Sequence, residues 1–329
     1  MKHLARYAPP RWLPGGHAQT IWPISIKGST PAYRRERWDT PDGDFVDVDW
    51  VDPPDDAVST PTVVMFHGLE GSSRSHYARR LMDAVAMRGW RGVVIHFRGC
   101  SGEPNRLPRG YHSGDSAEID WMLRRVALRH PGDVFVCGIS LGGNVLLKWL
   151  AEQGEAAAAV LRTAVSVCAP LDLAAASRTL GLGVNRIYTE YFLRTLVPRA
   201  LEKARRFPGT LDPAAIRNAG TLWRYDDCVT APLHGFRDAA DYYAQSSAGP
   251  RLRDIRLPVL VLNAANDPFL PAHFLPSPGD VGADVELDIQ AHGGHVGFVS
   301  GPPPGNLDWL PQRVLAWFDH CQTVATASG

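Results

Sequence analysis

The stretch DVFVCGISLGGNVLLKWLAEQ, residues 133–153, decides how this chain is read. A β-branched apolar run ends in Gly138, and a helix-forming run departs after Ser140. Between them Gly138-Ile139-Ser140-Leu141-Gly142 fits the pattern G-x-S-x-G. The pattern alone is weak in a chain with 31 glycines. The strand before it and the helix after it are the context it requires. A side chain at either glycine would collide with neighbouring backbone in so sharp a turn. The serine hydroxyl is pushed out at the top of the strand, and the helix N-terminus beneath it favours developing negative charge. The plainer reading of the same residues is a serine N-cap with packing glycines.

Outward from this turn, strands and helices alternate. Upstream, RRERWDT (34–40) and DFVDVDWV (44–51) flank an Asp-Gly turn and read as an antiparallel hairpin, the second run alternating apolar with polar. TPTVVMFHG (60–68) and RGVVIHFRGCSG (91–102) are continuous apolar runs ending in glycine turns, as strands buried on both faces do. SRSHYARRLMDAVAMRGW (73–90) places Tyr77, Leu81, Met82 and Val85 on one helical face, and DSAEIDWMLRRVALRHPG (115–132) is a second helix. Downstream, AVSVCAP (164–170), LPVLVLNAAND (257–267) and ADVELDIQAHGGH (283–295) are strands, and QRVLAWFDHC (312–321) is a closing amphipathic helix. This rhythm predicts an α/β fold: a mostly parallel twisted sheet with helices on both faces, begun by an antiparallel hairpin. The rhythm breaks between Leu171 and Arg256. There LDLAAASRTL, VNRIYTEYFLRTLVPRALEKARRF, DPAAIRNA and FRDAADYYAQSS read as helices without a strand, which predicts a helical cap (171–256) inserted into a core of 1–170 and 257–329. The tail VATASG is expected to fray.

Composition narrows the class. Hydrophobic residues at 45% and charged residues at 21% are those of an ordinary globular protein. Lys and Arg number 34, balancing 34 Asp and Glu, so charge supplies no drive towards nucleic acid. The opening MKHLARYAPPRWLPGG lacks the apolar segment of a signal peptide. No run reaches the ~18 apolar residues of a membrane span. The cysteines (Cys100, Cys137, Cys168, Cys228, Cys321) are odd in number and lack metal or redox spacing. A reducing, cytoplasmic setting follows as the expectation.

A serine hydroxyl needs a base beside it to attack a carbonyl. In the strand-turn-helix fold that carries this elbow the chain order is nucleophile, acid, base, with both partners in loops after later strands. Asp267 follows the strand VLVLNA, and His295 lies in the glycine-rich AHGGHVGF after the last strand. Asp267 would hold the imidazole in its productive tautomer. His292 competes with His295, which is preferred because Val296-Gly297-Phe298 follows it. Asp172, after the strand that succeeds the nucleophile, competes with Asp267, which is preferred for its Asp-Pro turn. An oxyanion hole needs backbone N–H donors: Leu141, after the nucleophile, and Leu69 in the HGLEGS turn, with Glu70 second. His67, Gly68, Arg98 and Cys100 read as turn scaffold. Cys100 lacks the strand-turn-helix context of a nucleophile.

Together these residues resemble the YheT-like (group 4) α/β-hydrolases over nearly the whole chain. RWLPGGHAQTIWP, HGLEGSSRSHYARRL, HFRGCSGEPNR, GISLGGNVLLKWL, LHGFRDAADYY, NAANDPF and GGHVGF are similar to that family's segments. The resemblance implies an α/β-hydrolase fold, the triad Ser140, Asp267 and His295, and hydrolysis of carboxylic esters with medium or longer acyl chains, acylglycerols included. It calls for no cofactor and no metal. Animal members usually begin with a membrane anchor that this chain lacks, which implies a soluble enzyme and leaves peripheral membrane contact open. Ile187, Tyr188, Tyr191, Phe192, Leu193 and Leu196 are expected either to line an acyl pocket or to pack the cap onto the core. An alcohol acyltransferase using the same triad and a non-catalytic binding protein on the same fold are the alternatives.

Overall fold

The computed structural model describes residues 6–26, 28–54 and 57–326. The first five residues of the opening segment lie outside them, as do the last three of the tail. The expected fray of VATASG is not found over 324–326: the last helix continues through Thr326.

One eight-stranded sheet organises the chain. In sequence order it is built from β1 (Arg34–Asp39), β2 (Phe45–Val51), β3 (Thr62–Phe66), β4 (Arg91–Ile95), β5 (Val134–Ile139), β6 (Thr163–Val167), β7 (Val259–Ala264) and β8 (Val285–Gln290). Their spatial order is β1-β2-β4-β3-β5-β6-β7-β8. β1 and β2 run antiparallel to their neighbours and the rest are parallel. The mixed sheet, with its hairpin at one edge, is the one the sequence predicts.

Helices α2 (His76–Met87), α3 (Ser116–Arg129), α4 (Leu141–Gln153) and α11 (Trp309–Thr326) cover the sheet. Alternation along each strand sorts its side chains between two cores. Val64 and Phe66 of β3 meet Ile119, Met122, Val145 and Leu146 of α3 and α4. Val63 and Met65 turn the other way, to Leu81 and Val85 of α2 and Val314 and Phe318 of α11. Both faces being covered explains why β3 to β6 carry no exposed residue.

Although the hairpin's second run alternates apolar with polar, all seven residues of β2 are buried. Its polar members are sheltered by β1: Arg37 forks onto Asp47 at 2.8 and 2.9 Å, and Arg35 onto Asp49 at 2.7 and 2.8 Å. Bidentate pairing is what lets carboxylates stay ionised there.

A short helix, α1 (Gly16–Ile21), precedes the sheet. Between β6 and β7 lie α5 (Leu173–Leu180), α6 (Arg186–Arg206), α7 (Pro213–Arg217), α8 (Leu222–Tyr225), α9 (Ala231–His234) and α10 (Ala239–Ser246). Helices α8 and α9 and the wider π turn joining them, Asp226–Thr230, have no counterpart in the sequence reading. Two acids and Pro232 interrupt the apolar periodicity there. No helix among the described residues is long and apolar enough to cross a membrane.

Candidate active site

The turn around Ser140 is as tight as its glycines require. A Cβ at Gly142 would sit 2.4 Å from the Phe66 carbonyl oxygen, and one at Gly138 equally close to that of Gly142. Ser140 itself adopts φ 52° and ψ −116°, a region L-residues avoid. Its N–H donates to Val167 O at 2.8 Å, and α4 starts at the next residue. Strain here serves exposure: the hydroxyl leaves the end of β5 instead of capping the helix, for no side-chain cap bond forms.

His295 Nε2 lies 2.9 Å from Ser140 Oγ, and His295 Nδ1 lies 2.8 Å from Asp267 Oδ2. An ionised carboxylate only accepts, so Nδ1 carries the proton and Nε2 is the acceptor facing the serine. The other oxygen of Asp267 accepts the Phe269 N–H at 2.8 Å. Phe269 then turns its ring flat against the imidazole, 3.9 Å between centroids and 13° from parallel. The structure thus brings Ser140, His295 and Asp267 into one hydrogen-bonded line.

The rivals fall elsewhere. His292 is exposed, its Nδ1 3.5 Å from the Asn266 side chain. Asp172 caps α5, accepting the Ala175 N–H at 2.9 Å. Cys100 is buried, which pushes its thiol up to about 12, and a protonated thiol is inert.

Of the oxyanion candidates, Glu70 is committed: its N–H donates to the Tyr111 hydroxyl at 3.0 Å. The Leu69 and Leu141 amides have no acceptor among the described residues. Both residues line the same cavity as Ser140. His67 holds the turn from below. Its Nδ1–H donates to Gly68 O at 2.8 Å, and its Nε2 accepts the Phe97 N–H at 3.1 Å. Arg98 is buried against Asp42, Asp44 and Glu118, a scaffold role.

The sequence offered no chemistry for the residues that hold the His295 loop. Thr20 Oγ1 accepts the His295 N–H at 2.8 Å, and Gln19 Oε1 accepts from Gly293 N at 2.9 Å and Asn266 Nδ2 at 3.0 Å. Asn266 Oδ1 in turn accepts the Gly294 N–H at 3.0 Å. Gly297 lets the two segments touch, since a Cβ there would lie 1.9 Å from Gln19 O. The segment RWLPGGHAQTIWP was legible as a signature, but its contacts span more than 240 residues.

The cavity above Ser140 measures about 290 Å³. Leu180, Phe192, Leu196, Leu222, Tyr225 and Val229 give it apolar walls. Exposed Glu103, Glu202 and Arg206 form its rim. Of the six residues expected to line or pack the cap, only Phe192 and Leu196 face this space. Ile187 and Tyr191 are 45% and 61% exposed, and Tyr188 turns to Phe269 and His17.

Two groups among the described residues are close enough to suggest a metal: Cys168 with Asp267 and His295, and His112 with Asp115 and His234. In the second, His112 Nδ1 accepts the Gly114 N–H at 3.2 Å, which leaves the proton on Nε2, and Arg109 Nη2 donates to both Asp115 oxygens at 2.7 and 2.8 Å.

Comparison with known proteins gives the family and the fold. A family model described as the alpha/beta hydrolase fold matches residues 61–302. The Escherichia coli (strain K12) protein YheT, which carries the name of an esterase, is 41% identical over 95% of this chain and 93% of its own. A phospholipase of Mus musculus is 31% identical over 95% of this chain and 77% of its own. Among solved structures, the Pyrococcus furiosus esterase Pf2001 superposes with a TM-score of 0.57 at 15% identity, covering 90% of this chain and 97% of that one, a likeness of fold.

Proposed function

The chain belongs to the α/β-hydrolase family and is a carboxylic ester hydrolase, and from that premise we propose that it cleaves medium- to long-chain acyl esters, acylglycerols included, through an acyl-enzyme on Ser140. The observation that carries this reading is the unbroken line Asp267–His295–Ser140 at 2.8 and 2.9 Å beneath an apolar-walled cavity.

His295 Nε2 takes the Ser140 proton as Oγ attacks the carbonyl carbon. The carbonyl oxygen becomes an oxyanion facing the Leu69 and Leu141 amides, at the positive end of α4. Asp267 stabilises the imidazolium, which then protonates the departing alcohol. Water attacks the acyl-enzyme by the same route in reverse roles, releasing the acid and restoring the serine. Every step is completed by protein groups and water.

We read residues 171–256 as a cap on a core of 1–170 and 257–329, supplying the walls for the acyl chain. The phospholipase among the relatives supports a lipid-like acyl ester. The polar rim of Glu103, Glu202 and Arg206 leaves water a path to the acyl-enzyme, which favours hydrolysis over transfer to an alcohol.

The test is hydrolysis of p-nitrophenyl esters from acetate to palmitate by wild type and Ser140→Ala. A maximum at medium or longer chains, abolished by the substitution, is expected. Equal activity in both proteins would remove Ser140 from the mechanism. With ethanol added, ester formation outpacing acid release would turn the reading to acyl transfer.

A further inference from the structure

Glu70 sits one residue beyond Leu69, in a backbone conformation (φ 56°) that a side chain disfavours. Something must hold it there, and three bonds do. Its N–H donates to the Tyr111 hydroxyl at 3.0 Å, and that hydroxyl donates back to Glu70 Oε1 at 3.1 Å. Glu70 Oε2 accepts from Arg199 Nη1 at 2.8 Å. Burial raises the Tyr111 pKa further above its ordinary value, so the hydroxyl keeps the proton it gives. The Tyr111 ring is itself fixed by stacking on Phe97, 5.3 Å away and 7° from parallel. The Glu70 side chain is only 7% exposed.

Arg199 belongs to another part of the molecule. It projects from α6, the helix whose Leu196 and Ala200 wall the cavity. Eleven residues earlier, ~16 Å along that helix, Tyr188 contacts His17 of α1 at 3.0 Å and packs on Phe269, the ring that lies against His295. One helix therefore touches supports of both the oxyanion turn and the imidazole.

We propose that Glu70 is a positioning residue for the oxyanion hole, completed by Arg199, so that seating α6 over the cavity fixes the Leu69 amide for the reaction. The inference rests on the serine-esterase reading above. With Arg199 in place, one oxygen of the nearly buried carboxylate is paired and the other anchors Tyr111, which holds the Glu70 amide away from the oxyanion position. Without it, the buried side chain has lost its charge partner and has to turn towards water. That turn releases the strained backbone next to Leu69. The effect belongs to the transition state, because the ester carbonyl carries little charge before attack.

The test compares wild type with Glu70→Gln, Tyr111→Phe, Arg199→Met and Arg199→Lys. Each is assayed for kcat and KM on p-nitrophenyl hexanoate and for inhibition by an alkyl trifluoromethyl ketone, whose serine adduct carries an oxyanion. Glu70→Gln and Arg199→Met are expected to lower kcat about 10- to 100-fold, less than outright loss of a donor. KM should stay within about two-fold. The ketone should weaken in the same proportion as kcat/KM, and Arg199→Lys should recover most of the loss. If Glu70→Gln misfolds, the Arg199 pair decides. A raised KM with kcat intact, or unchanged ketone inhibition, overturns the proposal while leaving the esterase reading standing. Wild type that turns over the ester no faster than Ser140→Ala overturns both.

Discussion

The hydroxyl of Thr20 accepts the backbone N–H of His295 at 2.8 Å and donates to Gly16 O at 2.7 Å, tying α1 to the loop that carries the imidazole. Thr20→Val keeps the shape and removes both bonds. The His295 N–H is then left without an acceptor, at a cost of about 1–3 kcal/mol. Activity is expected to fall roughly ten-fold or more from misplacement of the ring, with Thr20→Ser near wild type. Steady-state rates and thermal melts of the three proteins check this, and a fully active Thr20→Val would remove α1 from the argument.

Ser140 pays for its exposure in backbone strain, which a non-glycine residue bears at about 1–3 kcal/mol. Ser140→Gly and Ser140→Ala both delete the hydroxyl, and both should be inactive. The glycine variant sheds the strain, partly offset by about 0.5–1 kcal/mol of unfolded-state entropy. It is expected to melt higher than the alanine variant. The reverse order in calorimetry would mean that the turn is not strained in solution.

Asp267 and Asp172 make opposite predictions. Asp267→Asn can no longer hold the imidazole in one tautomer, and kcat should drop by about 10⁴. Asp172→Ala loses only the cap of α5, about 1 kcal/mol of stability, with kcat intact. Should the larger kinetic loss fall on Asp172, the assignment of the acid is wrong.

His67 sets a pH dependence of stability. Burial, with a smaller contribution from His96, lowers its pKa from 6.5 to about 3. The folded protein therefore binds fewer protons at this site than the unfolded chain between those values. Its contribution is fully present above pH 6.5 and is lost as pH falls through that window. At pH 5 the loss is about 2 kcal/mol. His76, His112 and His234 are lowered too and act in the same direction. Urea midpoints should fall from pH 7 to pH 5, and His67→Gln should flatten that slope even if it is less stable throughout. An unchanged slope would show that His67 does not set it.

The elbow was readable because its signals are local: a strand, two glycines around a serine, and a helix, all within 21 residues of each other. Asp267 and His295 stood out as candidates because each lies in the loop that follows a strand. That the Glu70 amide is bonded to Tyr111 while Leu69 lines the cavity took structure to see, since backbone donors leave no residue type behind. The lining of the cavity was read only in part. The α6 periodicity marks apolar residues on several sides of the helix, and Ile187 and Tyr191 face solvent while Leu196 faces the cavity.

Short-range order and strand count thus follow from the sequence alone, because steric rules at glycines and the two-residue and 3.6-residue periods act over a few neighbours. The parallel sheet with its antiparallel edge follows from them. Tertiary structure alone decided that Gln19 and Thr20 would hold a loop more than 270 residues away, and that Arg199 would reach Glu70 across 129. The reason is physical: a hydrogen bond of about 3 Å depends on where the packed core leaves two backbones, and no local pattern encodes that distance.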